Sequence, residues 1–118
     1  MSRNYRYRVV DVFTHRLLIV HTDADAVDAL TTSALELGFD VDWAADVDTI
    51  ERLTADEHDT IWLDLALGDF DGIRVLRLLR ERQPGVAVVL ESDSDASVLL
   101  AARRVAERSG LRVVDTVS

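Results

Sequence analysis

The chain has 118 residues, which is enough for one domain with a single hydrophobic core. A net charge of −9 argues against binding to a nucleic acid backbone, and no apolar stretch is long enough to span a membrane. Cysteine is absent, which excludes disulfides and thiolate metal sites, and no secretory signal is visible. We therefore expect a cytoplasmic protein with neither nucleic acid nor membrane partners.

Residues 1–15 are predicted to form an N-terminal extension that is first basic and then apolar, and residues 16–118 to form the domain. Within the domain, short apolar runs alternate with helical patterns. The predicted strands cover residues 17–20, 41–44, 61–63, 86–90 and 111–114. Apolar residues at three- and four-residue spacing follow each of the first four strands. Asp23 or Thr22 can cap the first of these helices, and Asp46 is placed to cap the second.

Alternation of short apolar strands with helices predicts an α/β fold whose parallel sheet has helices on both faces. Right-handed crossovers favour a doubly wound, five-stranded sheet of order 2-1-3-4-5. No G-x-G-x-x-G motif follows the first strand, and the chain contains no lysine for a P-loop. These absences disfavour a dinucleotide- or nucleoside-triphosphate-binding protein.

The most informative segment is the third strand and the loop after it, TIWLDLALGDFDG. The apolar run ends in one carboxylate, Asp64, at the carboxyl end of a predicted buried strand. An acidic loop that contains glycine follows. Ligands of open α/β sheets bind at that edge. Asp64 is therefore the leading candidate for a functional residue.

This loop, with the apolar run 17–20 and the segment LELGFDV at 35–41, resembles the receiver domain of two-component response regulators. The resemblance extends from about Arg16 onward. It implies a flavodoxin-like fold, Asp64 as the phosphoacceptor, and a histidine kinase or an output domain as partner. The segment at 99–113 also resembles receivers that precede EAL-type cyclic-di-GMP phosphodiesterase domains.

The resemblance also implies a Mg²⁺ site, formed in the family by an acidic pair after the first strand, the phosphoacceptor, and a carbonyl two residues beyond it. In this chain His21 and Thr22 replace the acidic pair. The metal ligands that remain are Asp23, Asp64 and the carbonyl of Ala66. Because Mg²⁺ prefers hard oxygen ligands, we expect its binding to be weak.

The switch residue implied by the family is Ser92, although the alternative alignment puts Glu91 there, and a carboxylate would repel phosphate. The family's lysine after the fifth strand is absent, and its final helix is missing. Without that helix, apolar surface of the strands would be exposed to solvent. We therefore expect that a second copy of the chain, in a homodimer, or the N-terminal segment covers this surface.

The remaining candidate residues are given structural roles. His15 and His58 are expected at the surface, and Trp43 and Trp62 in the packing of the domain.

Three functional hypotheses result. The first is a pseudo-receiver that acts by protein–protein contact, and the second is a phospho-accepting receiver that uses Asp64. The third is a small metal-dependent hydrolase or ligand-binding domain built on His21, Asp23 and Asp64. No catalytic residue is assigned, and the protein is not expected to be an enzyme.

Overall fold

The computed structural model describes residues 15–66, 72–92 and 96–117. The predicted N-terminal extension and the acidic loop at 69–71 therefore lie outside the described residues, except that His15 already begins the first strand. The elements in chain order are β1 (His15–Val20), α1 (Ala24–Glu36), β2 (Phe39–Ala44), α2 (Val47–Leu53), β3 (Thr60–Asp64), α3 (Gly72–Arg82), β4 (Ala87–Glu91), α4 (Ala96–Arg108) and β5 (Arg112–Val117).

The five strands form one parallel sheet of order β2-β1-β3-β4-β5, which confirms the predicted doubly wound topology. Four helices connect the strands, and within the described residues no helix follows β5. The central strands are short apolar runs because both of their faces are covered. No helix in the described part of the chain is long and apolar enough to cross a membrane.

The two faces of the sheet are packed unequally. One face carries α2, α3 and α4, whose apolar residues pack on alternate residues of the strands, for example Leu18 and Leu63. The opposite face carries α1, where Val27 and Ala34 pack on Leu17 and Ile19. The α1 side therefore holds the smaller of the two apolar layers.

Helix and strand ends follow local sequence signals. The Asp23 side chain caps α1 by accepting hydrogen bonds from the N–H groups of Asp25 and Ala26. At the other end of α1, Gly38 follows the last helical turn at φ 90°, a conformation that favours glycine. The fifth strand runs to Val117, beyond its predicted end at residue 114, because its backbone pairing with β4 continues past an irregularity near Val89.

The prediction that His58 lies at the surface was wrong, since its side chain is completely buried at the amino end of the sheet. Its Nε2 lies 2.9 Å from Oδ2 of Asp42, and Arg16 contacts the same oxygen at 3.0 Å. The Gln83 amide binds the ring's Nδ1 and also the carbonyls of Thr54 and Asp56. Burial and the nearby Arg16 charge lower the pKa of His58 to about 4. His15 is exposed, as expected.

Candidate functional site

The candidate site lies at the carboxyl edge of the sheet, where β1, β3 and β4 end side by side. The backbone register places Asp64, the last residue of β3, directly opposite Glu91, the last residue of β4. Leu63, one residue before Asp64, is the register partner of Val20, and His21 is the next residue after β1. The topology therefore brings His21, Asp64 and Glu91 to one edge, and we call these three residues the histidine pocket.

The imidazole of His21 lies between the two carboxylates. Its Nε2 is 3.3 Å from the Glu91 carboxylate, and its Nδ1 is 3.7 Å from Oδ2 of Asp64. The Asp23 backbone N–H donates to Nδ1 at 3.1 Å, so Nδ1 acts as an acceptor. The hydrogen on Nε2 is then directed toward Glu91, which accepts it. The His21 side chain is only 6% exposed, so the ring fills the pocket.

Asp64 lies where the sequence predicts it. Its side chain is 10% exposed, and its Oδ1 accepts a hydrogen bond from the Ala66 N–H at 3.1 Å. This bond holds the first turn of the loop that leaves β3. Asp64 is therefore fixed at the rim of the sheet with one oxygen turned toward the loop and the other nearer to His21.

Both tryptophans donate hydrogen bonds to the pocket. Trp62 also packs against the apolar layer on the α1 side, as predicted, whereas the packing role predicted for Trp43 was wrong, since its side chain is 44% exposed. The Trp62 Nε1 donates to Oε1 of Glu91 at 2.7 Å, and the Trp43 Nε1 donates to the backbone carbonyl of His21 at 2.7 Å. Such bonds restrict the orientation of the groups that they hold. They escaped the sequence analysis because an indole N–H gives no periodic signal.

The predicted metal ligands are distributed differently from the family pattern. Asp23 serves as the cap of α1, and Thr22 is exposed. Among the described residues, the group whose ligand atoms all lie within 4.8 Å of one another consists of the histidine pocket. Glu91, the last residue of β4, is also in this group, although the sequence analysis gave it only as the alternative to Ser92 as switch residue. The metal roles of Asp23 and of the Ala66 carbonyl remain predictions.

Ser92, the predicted switch residue, follows Glu91 directly and is buried. Its backbone N–H donates to the carbonyl of Val117 at 3.0 Å and extends the pairing of β4 with β5. The carboxylate of Glu91, not a hydroxyl, is what contacts His21 on the site side of β4. The switch role of Ser92 therefore remains a prediction.

Comparison with known families identifies the receiver domain of response regulators. The sequence model of the response regulator receiver domain matches residues 17–116, which is most of the chain. The comparison with curated proteins finds no match.

Solved structures share the fold at low sequence identity. A response regulator from Burkholderia pseudomallei with a phosphorylated aspartic acid, a calcium ion and citrate is 19% identical with a TM-score of 0.74, over 87% of this chain and 58% of that chain. A CheY-like receiver domain protein from Methanospirillum hungatei JF-1 is 18% identical with a TM-score of 0.73, over 88% of this chain and 80% of that chain.

A third structure is a Thermotoga maritima response regulator in complex with magnesium and beryllofluoride. It is 16% identical with a TM-score of 0.70, over 88% of this chain and 85% of that chain. At these identities the similarity establishes the fold and leaves the chemistry of the pocket to be argued from its own residues.

Proposed function

Because the chain belongs to the response regulator receiver family, we propose that it is a pseudo-receiver, a signalling domain that acts through protein–protein contact without requiring phosphate. One observation carries the proposal. The His21 imidazole lies between Asp64 and Glu91, within the group of side chains that would have to hold a cation. The pocket is thus filled by a side chain of the protein itself.

The donor set does not fit Mg²⁺. This ion demands near-octahedral oxygen coordination, and an imidazole nitrogen is a poor ligand for it. Of the two positions that the family fills with acids, one holds His21 and the other holds the exposed Thr22. The next carboxylate, Asp23, already accepts two backbone hydrogen bonds as a helix cap. We therefore do not propose Mg²⁺-dependent phosphoryl transfer in this pocket.

The second candidate is a receiver that accepts a phosphoryl group on Asp64. The position of Asp64 at the end of β3 favours it. The Glu91 carboxylate opposite Asp64 works against it, since a phosphoryl group carries negative charge that a nearby carboxylate repels. The hydrolase hypothesis is ranked last because Asp23 is engaged in capping and the pocket supplies no recognisable nucleophile with its base.

The partners proposed for this domain are a histidine kinase or an output domain, including one of the EAL type, and a second copy of the chain. The dimer proposal is supported by the α1 side of the sheet, where Trp62 and Val89 are only partly buried. Val114, on β5, is 55% exposed. Sedimentation of the purified protein tests the proposed dimer, and a monomer at all concentrations would contradict the proposal. The cytoplasmic location remains a prediction.

Phosphorylation chemistry tests the proposed function directly. We expect no phosphoryl incorporation, measured by intact mass, when the protein is incubated with acetyl phosphate and Mg²⁺. The matched variant replaces His21→Asp and Thr22→Asp together, which restores the acidic pair and should permit incorporation on Asp64. Stoichiometric incorporation into the unchanged protein, abolished by Asp64→Asn, would establish the second candidate instead.

A further inference from the structure

The arginines of the chain are distributed unevenly over the fold. Arg16 and Arg52 are the only arginines between residues 15 and 66, a stretch that holds most of the chain's acids. Helices α3 and α4 together hold more than half of the chain's 13 arginines. The two helices lie side by side on one face of the sheet. A protein with a net charge of −9 therefore presents a basic region on that face.

Several of these arginines are exposed and make no ion pair within the described part of the chain. Their neighbours on the same helices differ, since Arg82 lies 3.7 Å from the Glu51 carboxylate and Arg103 lies 3.4 Å from that of Glu107. We use the name arginine surface for the exposed residues without an ion pair, which are Arg77, Arg80, Arg104 and Arg108.

Helix stability alone does not explain all four positions. Basic residues in the last turn complement the helix dipole, which accounts for Arg80 and Arg108. Arg77 and Arg104 lie before the last turn, where this effect has faded. Arg104 and Arg108 are also four residues apart, and like charges at that spacing destabilise a helix. An acidic ligand on this surface would relieve that repulsion.

The chemistry of the arginine surface fits a carboxylate-rich protein segment. Guanidinium groups bind carboxylates through paired hydrogen bonds, and arginine is enriched in protein interfaces. Leu100, one turn before Arg104 on α4, is 50% exposed and offers an apolar contact beside these charges. A net charge of −9 repels an extended polyanion such as nucleic acid or an anionic membrane, whereas a short acidic segment meets chiefly the arginine surface.

We infer that the arginine surface binds a short acidic segment of a partner protein, one that presents several Glu or Asp side chains. The inference rests on the proposed function, because a pseudo-receiver acts through protein–protein contact, and it adds the surface and the charge of the partner. The surface belongs to α3 and α4, on the face of the sheet opposite the α1 side that is proposed for the dimer. One copy of the chain can therefore hold both contacts at the same time.

The experiment is a fluorescence anisotropy titration of a labelled octaglutamate peptide with the full, tag-free chain at low salt. We expect saturable binding that weakens as NaCl is added, because salt screens exposed charges. Arg77→Gln and Arg104→Gln should each weaken binding about 2- to 5-fold, and the double variant should weaken it more than either. The matched control is Arg52→Gln, which removes an exposed arginine from α2 and should leave affinity unchanged.

Circular dichroism of each variant checks that it folds, which substitution of exposed side chains should not prevent. Absence of saturable binding, equal binding of a labelled octaglutamine peptide, or an equal loss of affinity in Arg52→Gln would overturn the inference. Tighter binding of an oligothymidylate or of phosphatidylserine vesicles, lost in the double variant, would also overturn it, since the surface would then serve nucleic acid or a membrane. Self-association that the double variant abolishes would assign the surface to a second copy instead.

Acetyl phosphate labelling is scored separately, so that the two proposals can fail independently. If octaglutamate fails to bind and no phosphoryl group is incorporated, the inference about the arginine surface falls while the pseudo-receiver proposal stands. Mg²⁺-dependent labelling of the unchanged protein would defeat the proposed function itself, whatever the peptide does.

Discussion

Two buried histidines lie at opposite ends of the same sheet, and their contacts differ. At the amino end, both ring nitrogens of His58 are within 2.9 to 3.2 Å of a partner in Asp42 or Gln83. At the carboxyl end, the His21 Nδ1 accepts the Asp23 N–H at 3.1 Å, but the ring also lies between two carboxylates at 3.3 and 3.7 Å. Short, matched contacts are typical of a structural hydrogen-bond network. Two carboxylates on either side of one imidazole ring are more typical of a functional site.

The comparison teaches that burial of a histidine does not by itself indicate function. The carboxylate of Asp42 is shared between His58 and the Arg16 guanidinium, so that charge is offset within the fold. The amino end therefore joins β1, β2 and the loop before β3 into one unit. The carboxyl end places two carboxylates opposite each other in the register of β3 and β4, with His21 and Trp62 contacting Glu91 and the Ala66 N–H donating to Asp64.

The largest expected effect is at the amino end. His58→Ala should lower the free energy of unfolding by about 3 kcal/mol, because it removes a fully buried ring and leaves Asp42 and Gln83 with broken bonds. Urea denaturation followed by circular dichroism measures the change. In the same assay His15→Ala should stay within about 0.5 kcal/mol. Similar losses for the two variants would show that the His58 network does not stabilise the fold.

Acid should weaken the same network. The folded-state pKa of His58 is about 4, below the value of 6.5 for a free histidine, so the unfolded chain binds the proton more readily. Stability is therefore lost as the pH falls from about 6.5 toward 4. Between pH 7 and pH 5 the unchanged protein should lose about 2 kcal/mol more than His58→Gln. Parallel profiles of the free energy of unfolding against pH for the two proteins would contradict this prediction.

A smaller effect is expected at the carboxyl end. Trp62→Phe keeps the aromatic ring but removes the N–H that donates to Glu91, and should cost about 1 kcal/mol of unfolding free energy. An unchanged stability would mean that this hydrogen bond does not organise the pocket.

The smallest effect concerns the cap that Asp23 provides for α1. Asp23→Ala should cost about 1 kcal/mol of unfolding free energy through loss of the α1 cap, whereas Asn caps almost as well as Asp and Asp23→Asn should cost far less. A loss of stability in Asp23→Asn as large as that in Asp23→Ala would show that the side-chain oxygen of Asp23 does not stabilise α1 as a cap.

Much of the fold could be predicted because its signals are local. Each apolar run such as 17–20 reports a strand covered on both faces, and glycine or aspartate marks the turns between elements. The position of Asp64 at the sheet edge follows from the same pattern. The length of β5 was underestimated because Asp115 and Thr116 lie on a partly exposed strand, where polar residues are tolerated.

The two histidine environments could not be predicted because they depend on contacts between distant residues. His58 contacts Asp42 and Gln83, which are 16 and 25 residues away, and nothing near it in sequence indicates burial. The contact of Glu91 with His21 spans 70 residues and depends on the register of three strands. A one-residue slip in that register would turn Glu91 to the other face.

The hydrogen bonds from Trp43 and Trp62 to this edge of the sheet give the protein a built-in optical reporter. These are the only two tryptophans in the sequence, and each indole donates to a residue of the same cluster. Intrinsic fluorescence should therefore respond when a partner protein rearranges that cluster, without any attached dye. Single Trp→Phe variants would then assign the signal to the backbone just after β1 or to the end of β4.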